Sequence, residues 1–232
     1  EMKSRIKEDD ESVPYKLNGY YYITRFEKGK DYPIYTRKKE SLDAKEEILF
    51  NVNEMAEGYS YYNLSGMSIS PDNKLISFGV DTLSRRKYII HIKNLETGKV
   101  YEEKIPLTTG GSTWANDNKT LFYTRKDEQT LRADRIYKHV LGTNSKKDEL
   151  VYTEKDETFG TFVYKTKSRK FLVIGSYSTL TSEYRILSAD TPNEKFNLFQ
   201  ERERGLEYNI SHFGKDFYIL TNKDKAINFK LM

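Results

Sequence analysis

One local pattern recurs along the chain: a polar turn followed at once by an apolar strand. Asn116-Asp117-Asn118-Lys119 precedes Leu121-Phe122-Tyr123. Residues 69–74, ISPDNK, precede Leu75-Ile76-Ser77-Phe78. Residues 164–170 precede Phe171-Leu172-Val173-Ile174, and residues 210–216 precede Phe217-Tyr218-Ile219-Leu220. A weaker first copy is Leu17-Asn18-Gly19 before Tyr20-Tyr21-Tyr22-Ile23. Asn and Asp tolerate the left-handed conformation and hydrogen-bond their own backbone, which suits a hairpin turn. Aromatic and β-branched residues suit the strand that follows. The steps from Lys74 to Lys119, Lys119 to Lys170 and Phe171 to Phe217 are 45, 51 and 46 residues, and that from Tyr20 to Leu75 is 55. A period of about 40–50 residues holding several short strands marks the blades of a β-propeller. A β-sandwich would also supply hairpins, but not at one near-regular spacing.

The second half of each unit repeats as well. Third strands are expected at 87–93, 135–141, 182–188 and 226–230, and fourth strands at 100–105, 149–152 and 195–200. Four antiparallel strands per repeat make one blade. The expected fold is therefore all-β: a partial β-propeller of four-stranded blades at 13–52, 55–106, 107–152 and 153–200, with an incomplete fifth at 201–232. Residues 1–12 read as a helical tail or linker, ended by Asp9-Asp10 and by Pro14, which disfavours helix before it. Gly110-Gly111 reads as a crossing between blades. Because a ring needs about four to eight complete blades, the chain is expected to be a piece of a longer protein, and its open strand edges to favour self-association.

Hydrophobic residues make up only 37% of the chain, yet 14% is aromatic, with 19 Tyr. Tyr and Phe can wedge between sheets while alternate strand positions face water, so the low hydropathy does not imply disorder. Thirty-nine basic residues against 35 acidic ones leave a net charge of +4, with the signs interspersed. That is a solvated surface rather than a nucleic-acid footprint. Cysteine is absent, so no disulfide framework is expected. No apolar run approaches the roughly 20 residues a membrane helix needs, and no signal peptide is visible. The expected location is the cytoplasm, with no membrane or nucleic-acid partner.

The search for chemistry is largely negative. A hydrolase nucleophile elbow reads G-x-S-x-G. Gly110-Gly111-Ser112-Thr113-Trp114 comes nearest and fails at its last position. His91, His139 and His212 are too dispersed for a metal site, since there is no H-x-x-x-H and no cysteine. Asp72, Asp117 and Asp127 do not match a calcium loop, and turn roles account for them. Glu201-Arg202-Glu203-Arg204 reads as a solvated loop. Lys165, Lys167, Arg169 and Lys170, with Tyr164 beside them, form a basic cluster. It reads as exposed lysines protecting a strand edge, with a polyanion contact as the sharper alternative. No catalytic, cofactor-binding or metal residue is assigned, and no cofactor is expected.

Long motifs carry a resemblance. They are EMKSRIKEDDESVPYKLNGYYYITRFEKGKDYPIYTRK (1–38), SISPDNKL (68–75), WANDNKTLFYTRKDEQTLR (114–132), STLTSEYRIL (178–187) and ERGLEY (203–208). Through them essentially the whole chain resembles the propeller of the oligopeptidase B (protease II) group of the prolyl oligopeptidase family of serine peptidases. The resemblance implies a parent whose seven-bladed propeller covers a C-terminal α/β-hydrolase domain with a Ser-Asp-His triad. It implies cleavage of short peptides after Lys or Arg, with the propeller as a substrate gate. The triad and most acidic residues that recognise the basic side chain would lie outside this chain, which should be inactive alone. The alternative is a free-standing propeller that binds protein or peptide without catalysis.

Overall fold

The computed structural model describes Arg5 and residues 7–232. The helical tail expected at the N-terminus falls partly on residues 1–4 and 6, outside the described residues. Further on, the chain pairs with a strand instead: the Ser12 N–H donates to the Thr24 carbonyl and the Phe26 N–H to the Asp10 carbonyl.

Two compact units form, Glu1–Leu64 with Thr82–Ser84, and Ser65–Asp81 with Arg85–Met232. The first is a four-stranded antiparallel sheet of β1 (Tyr15–Leu17), β2 (Tyr20–Arg25), β3 (Ile34–Lys39) and β4 (Glu46–Asn51), in sequence order. Asn18 and Gly19 both take positive φ between β1 and β2, as a two-residue hairpin turn demands. Ile23, Ile34, Leu49 and Phe50 are buried in this unit. The buried Arg37 stacks over the Tyr20 ring at 4.0 Å and pairs with Glu47 at 2.7 Å. One helical turn, α1 (Val52–Met55), follows, capped by the Asn51 side chain.

The second unit holds three sheets. The largest has seven strands: β5 (Asn63–Ile69), β6 (Leu75–Asp81), β7 (Tyr88–Asn94), β8 (Ile105–Trp114), β9 (Thr120–Lys126), β10 (Ala133–Val140) and β11 (Glu149–Thr153). It is two blades fused through β8. The start of β8 pairs with β7 (Ile90 opposite Ile105), and its end pairs with β9 (Thr113 opposite Phe122, Trp114 opposite Leu121). Thus the expected fourth strand at 100–105 meets β7 first through an isolated bridge, Val100 opposite Lys93, and becomes a named strand at Ile105, and the expected crossing at Gly110-Gly111 lies inside a continuous strand. The third sheet is β12 (Gly160–Lys165), β13 (Phe171–Tyr177), β14 (Ser182–Ser188) and β15 (Asn197–Leu198). The fourth is β16 (Tyr208–Phe213), β17 (Asp216–Thr221) and β18 (Lys230–Leu231). The third strand expected at 226–230 is reduced to Lys230–Leu231, because Asp224, Lys225 and Phe229 take positive φ in the loop before it.

Central strands are buried on both faces. In β13, Leu172 and Ile174 join Phe122, Ile136 and Leu187 on one side. Val173 points the other way and joins Tyr184, Tyr208 and Ile210. In β9, Phe122 serves the first of these clusters while Leu121 packs with Trp114, Leu75 and Ile92. A strand covered on both faces needs a near-continuous apolar run, which is what FLVI and LFY supply. β16 and β17 carry one covered face and one open face, where Phe213, Tyr218 and Leu220 are exposed.

Turns at one end of the sheets hold neighbours together. The Asp72 carboxylate accepts the Lys74 N–H, and Asp117 accepts the N–H groups of Lys119 and Thr120. Asn73, Asn118 and Arg169 take the left-handed position in successive turns. Each turn then reaches the next. The Asp72 N–H donates to Asn118 Oδ1 (2.9 Å), Asn116 Nδ2 to the Arg169 carbonyl (3.1 Å), and Lys170 Nζ to the Gly214 carbonyl (3.1 Å).

At the opposite strand ends, charged side chains make the links. Arg132 donates to the carbonyls of Asp156 (2.9 Å), Phe159 (3.0 Å) and Glu154 (3.2 Å). From the other side, Arg202 grips Glu154 with both terminal nitrogens (2.6 and 3.3 Å) and lies 3.8 Å over the Phe159 ring. Tyr152 OH and the Asp156 N–H also donate to Glu154. Burial alone would raise the Glu154 carboxyl, but these donors, Arg202 foremost, bring it below its usual value. Arg202 is therefore no solvated loop residue. It clamps the segment that leads into β12 to the segment that leads into β16.

This packing sets the cost of two kinds of substitution. A Cβ on Gly79 would stand 2.4 Å from the Gly110 Cα and 2.5 Å from its carbonyl oxygen, both backbone, whereas a Cβ on Gly98 meets open space at φ +73°. Gly79→Ala should cost about 1–3 kcal/mol or more as overpacking that no rotamer relieves. Gly98→Ala should cost no more than about 1–2 kcal/mol of left-handed strain. Urea titration of the two variants checks the order. Glu154 has a depressed folded pKa, so its contribution is complete above the ordinary carboxyl value and fades as pH falls through the folded one. Glu154→Gln should lose about 2 kcal/mol at pH 7, with the wild-type and variant curves converging in acid. Parallel curves from pH 7 to pH 3 would contradict the clamp.

Candidate functional site

β12 and β16 are the first strands of their sheets, so each leaves one edge unpaired within its sheet. Where the two strands end lies a cleft of about 770 Å³. Its wall includes Tyr164, Lys165, Lys167, Ser168, His212 and Phe213, and no carboxylate lines it. Two residues of the basic cluster singled out from the sequence, Lys165 and Lys167, are thus among its lining residues.

Local chemistry fixes these side chains. Thr166 Oγ1 and Ser168 Oγ lie 2.9 Å apart, and the Phe171 N–H donates to Thr166 Oγ1 at 3.1 Å. This self-closed turn places Lys167 outward and Ser168 toward β16. Alternation along β12 sends Tyr164 against the Tyr208–Ile210 cluster, where its hydroxyl donates to the Ile210 carbonyl at 3.4 Å. Burial pushes that phenol up. Lys165 points to the opposite side, where its ammonium donates to Asn116 Oδ1 at 2.8 Å. Burial, with Arg169 adding to it, pushes Lys165 down to about 8, against the pull of Asp190 and Asp117.

His212 is buried, its Nδ1 2.9 Å from Ser168 Oγ and its ring 4.8 Å from both Phe171 and Phe217 in edge-on contact. A Ser–His pair invites comparison with a nucleophile and its base. Among the described residues, however, no carboxylate hydrogen-bonds His212, and Ser168 is engaged in closing its own turn. The cleft presents ammonium, hydroxyl and imidazole groups suited to holding an anion, without the base–orienter geometry of acyl transfer.

The other sequence candidates are dispersed. Ser112 sits within β8, its hydroxyl 2.8 Å from that of Ser77. His91 in β7 stacks on Phe78. His139 in β10 is fully buried, with Nδ1 2.8 Å from Asp148, whose second oxygen accepts the Tyr123 hydroxyl at 2.9 Å. Sequence reasoning missed this Tyr–Asp–His group, because Asp148 follows a turn of Asn, Ser and Lys residues that gives no sign of an inward carboxylate. Asp127 closes its own turn by accepting from Gln129 and Thr130. Among the described residues no three His, Asp or Glu side chains gather as a metal would require. No described helix is long and apolar enough to cross a membrane.

Comparison with known proteins gives the architecture its lineage. The model of the prolyl oligopeptidase N-terminal β-propeller domain matches residues 1–232. Dipeptidyl aminopeptidase BI of Pseudoxanthomonas mexicana is 38% identical over 100% of this chain and 34% of its own length. Protease 2 of Moraxella lacunata is 33% identical, again over 100% of this chain and 34% of its own. The structure of oligopeptidase B from Leishmania major superposes with a TM-score of 0.91 at 33% identity, covering 98% of this chain and 33% of that one. The chain spans about a third of the length of these relatives. Blade-period repeats, sheets of antiparallel strands and a match along every residue agree: the chain belongs to the prolyl oligopeptidase family, within its N-terminal β-propeller domain.

Proposed function

We propose that the chain is the gating portion of a cytoplasmic serine oligopeptidase that cleaves short peptides after Lys or Arg. Its strands restrict access to a C-terminal α/β-hydrolase domain and contribute no catalytic residue, cofactor site or metal site of their own. The observation that carries this reading is the match of all 232 residues to the propeller domain alone, against relatives three times as long.

The test compares the full-length protein with the 232-residue chain on benzoyl-arginine nitroanilide. The full-length protein should hydrolyse it and be stopped by a serine-directed phosphonofluoridate, while the isolated chain should show no turnover. Turnover by the isolated chain, if stopped by that reagent, would refute the absence of a nucleophile. Release of dipeptides from free N-termini, with blocked Arg and Lys substrates left intact, would replace the Lys/Arg reading with the activity that the Pseudoxanthomonas relative's name describes. In light scattering, the isolated chain should self-associate through its exposed Phe213, Tyr218 and Leu220 face. A monomer at high concentration would count against that.

A further inference from the structure

We propose that a second cleft, between the start of β8 and the turn that joins β10 to β11, binds an apolar carboxylate. The ligand is an aromatic or aliphatic group bearing a carboxylate, either a free acid or the C-terminal residue of a peptide. Arg125 holds the carboxylate, and the apolar wall holds the rest. This role is independent of the gating reading.

The cleft encloses about 540 Å³, within the range of small-molecule sites. Ile89 of β7, residues 102–106, Tyr123 and Arg125 of β9 and residues 143–146 line it, all from the seven-stranded sheet and its connections. It exists because β8 changes partners. Ile105 pairs with Ile90 of β7, and pairing with β9 starts only at Thr108, opposite Arg125. Residues 102–106 therefore stand away from β9, and the cleft opens between them. Two hydrogen bonds fix one wall: the Gly142 N–H donates to Glu103 Oε1, and Ser145 Oγ donates to the Lys104 carbonyl at 2.7 Å. The floor is fixed as well. Ile105 and Tyr123 pack with the buried Ile90, and the Tyr123 hydroxyl donates to Asp148. A ligand entering a cleft held in this way meets little ordering cost.

Arg125 is the unusual member. Arg132, Arg135, Arg185 and Arg202 of the same unit each pair with a carboxylate. The Arg125 side chain is partly buried, and among the described residues it makes no hydrogen bond or ion pair. Its guanidinium lies 5.3 Å over the Tyr137 ring, which stacks on Tyr123. The planar fork of a guanidinium matches a carboxylate with two parallel hydrogen bonds. Lys104 and Lys146 add positive charge at the exposed rim. Two acids share the lining. Glu103 accepts the Gly142 N–H with one oxygen and has the other enclosed, and Glu102 is exposed to solvent. Asp148, behind Tyr123, is buried and engaged by Tyr123 and His139. Ile89 and Pro106 give the cleft an apolar wall. A bare inorganic anion would use the charge and leave that wall wet, whereas an acid with an apolar body uses both.

The experiment is calorimetry on the full-length protein with N-acetyltryptophan, its neutral amide, octanoate and acetate. N-acetyltryptophan should bind about tenfold tighter than its amide, as one charge-assisted hydrogen bond allows. Arg125→Gln should bring acid and amide within about twofold, and Arg125→Lys should keep part of the preference. Thr143→Trp, at an exposed position in the lining, should block the acid while leaving Arg125 in place. Lys167→Gln, at the other cleft, should change nothing. A trialanyl-tryptophan peptide that binds as N-acetyltryptophan does would assign the site to peptide C-termini. Binding of N-acetyltryptophan and octanoate without the peptide would assign it to free acids. Failure of both N-acetyltryptophan and octanoate to bind, equal affinity for acid and amide, a preference that survives Arg125→Gln, or acetate displacing N-acetyltryptophan at equal concentration would overturn the proposal.

Discussion

Burial of central strands on both faces is the constraint on which the rest depends. β13 places Leu172 and Ile174 toward one neighbour and Val173 toward the other, so it cannot be satisfied by a sheet with one wet side. β9 does the same with Phe122 against Leu121. The sheets that hold β9 and β13 therefore require a companion on either flank, and stacking of similar sheets is how a chain with 37% hydrophobic residues still encloses a core. The polar turns at one end and the arginine clamps at the other follow from that need. They set the spacing at which apolar faces meet.

Much of this was legible because it is periodic. The Asx turns at Asp72 and Asp117 close as read, with positive φ at Asn73 and Asn118, and the strands after them lie where aromatic and β-branched runs put them. What escaped is what periodicity does not encode. β8 serves two blades because Leu107 and Gly110 take positive φ within it and let one strand change partners. A turn-and-strand rule reads two glycines as a break. Arg202 lies in an alternating charge run that looks solvated, yet its partner Glu154 comes from a segment 48 residues earlier. Pairings of that separation leave no mark in local composition.

The same limit applies to the cleft. A run of Lys165, Lys167, Arg169 and Lys170 reads equally well as edge protection or anion contact, since both require exposed cations. Only the fold separates their roles. Lys165 turns inward to Asn116, Lys170 reaches the Gly214 carbonyl, and Lys167 faces the cleft with His212. One basic stretch thus divides into a positioning contact, a sheet-to-sheet link and a lining residue. The charge pattern alone ranks none of them.

The continuity of β8 has a mechanical consequence. Neighbouring blades elsewhere in the second unit are joined through side chains and through single main-chain hydrogen bonds, Asn116 N–H to the Ala189 carbonyl and Ser182 N–H to the Leu206 carbonyl, contacts that can loosen singly. Where β8 runs through, two blades share main-chain hydrogen bonds along one strand, and the glycine backbones of β5, β6 and β8 touch without side chains between them. Separation there would require unzipping the strand itself. Within the second unit, residues 65–81 and 85–153 should behave as a stiff plate, so any breathing that admits a ligand within this unit must hinge at the later joints, where main-chain links are few.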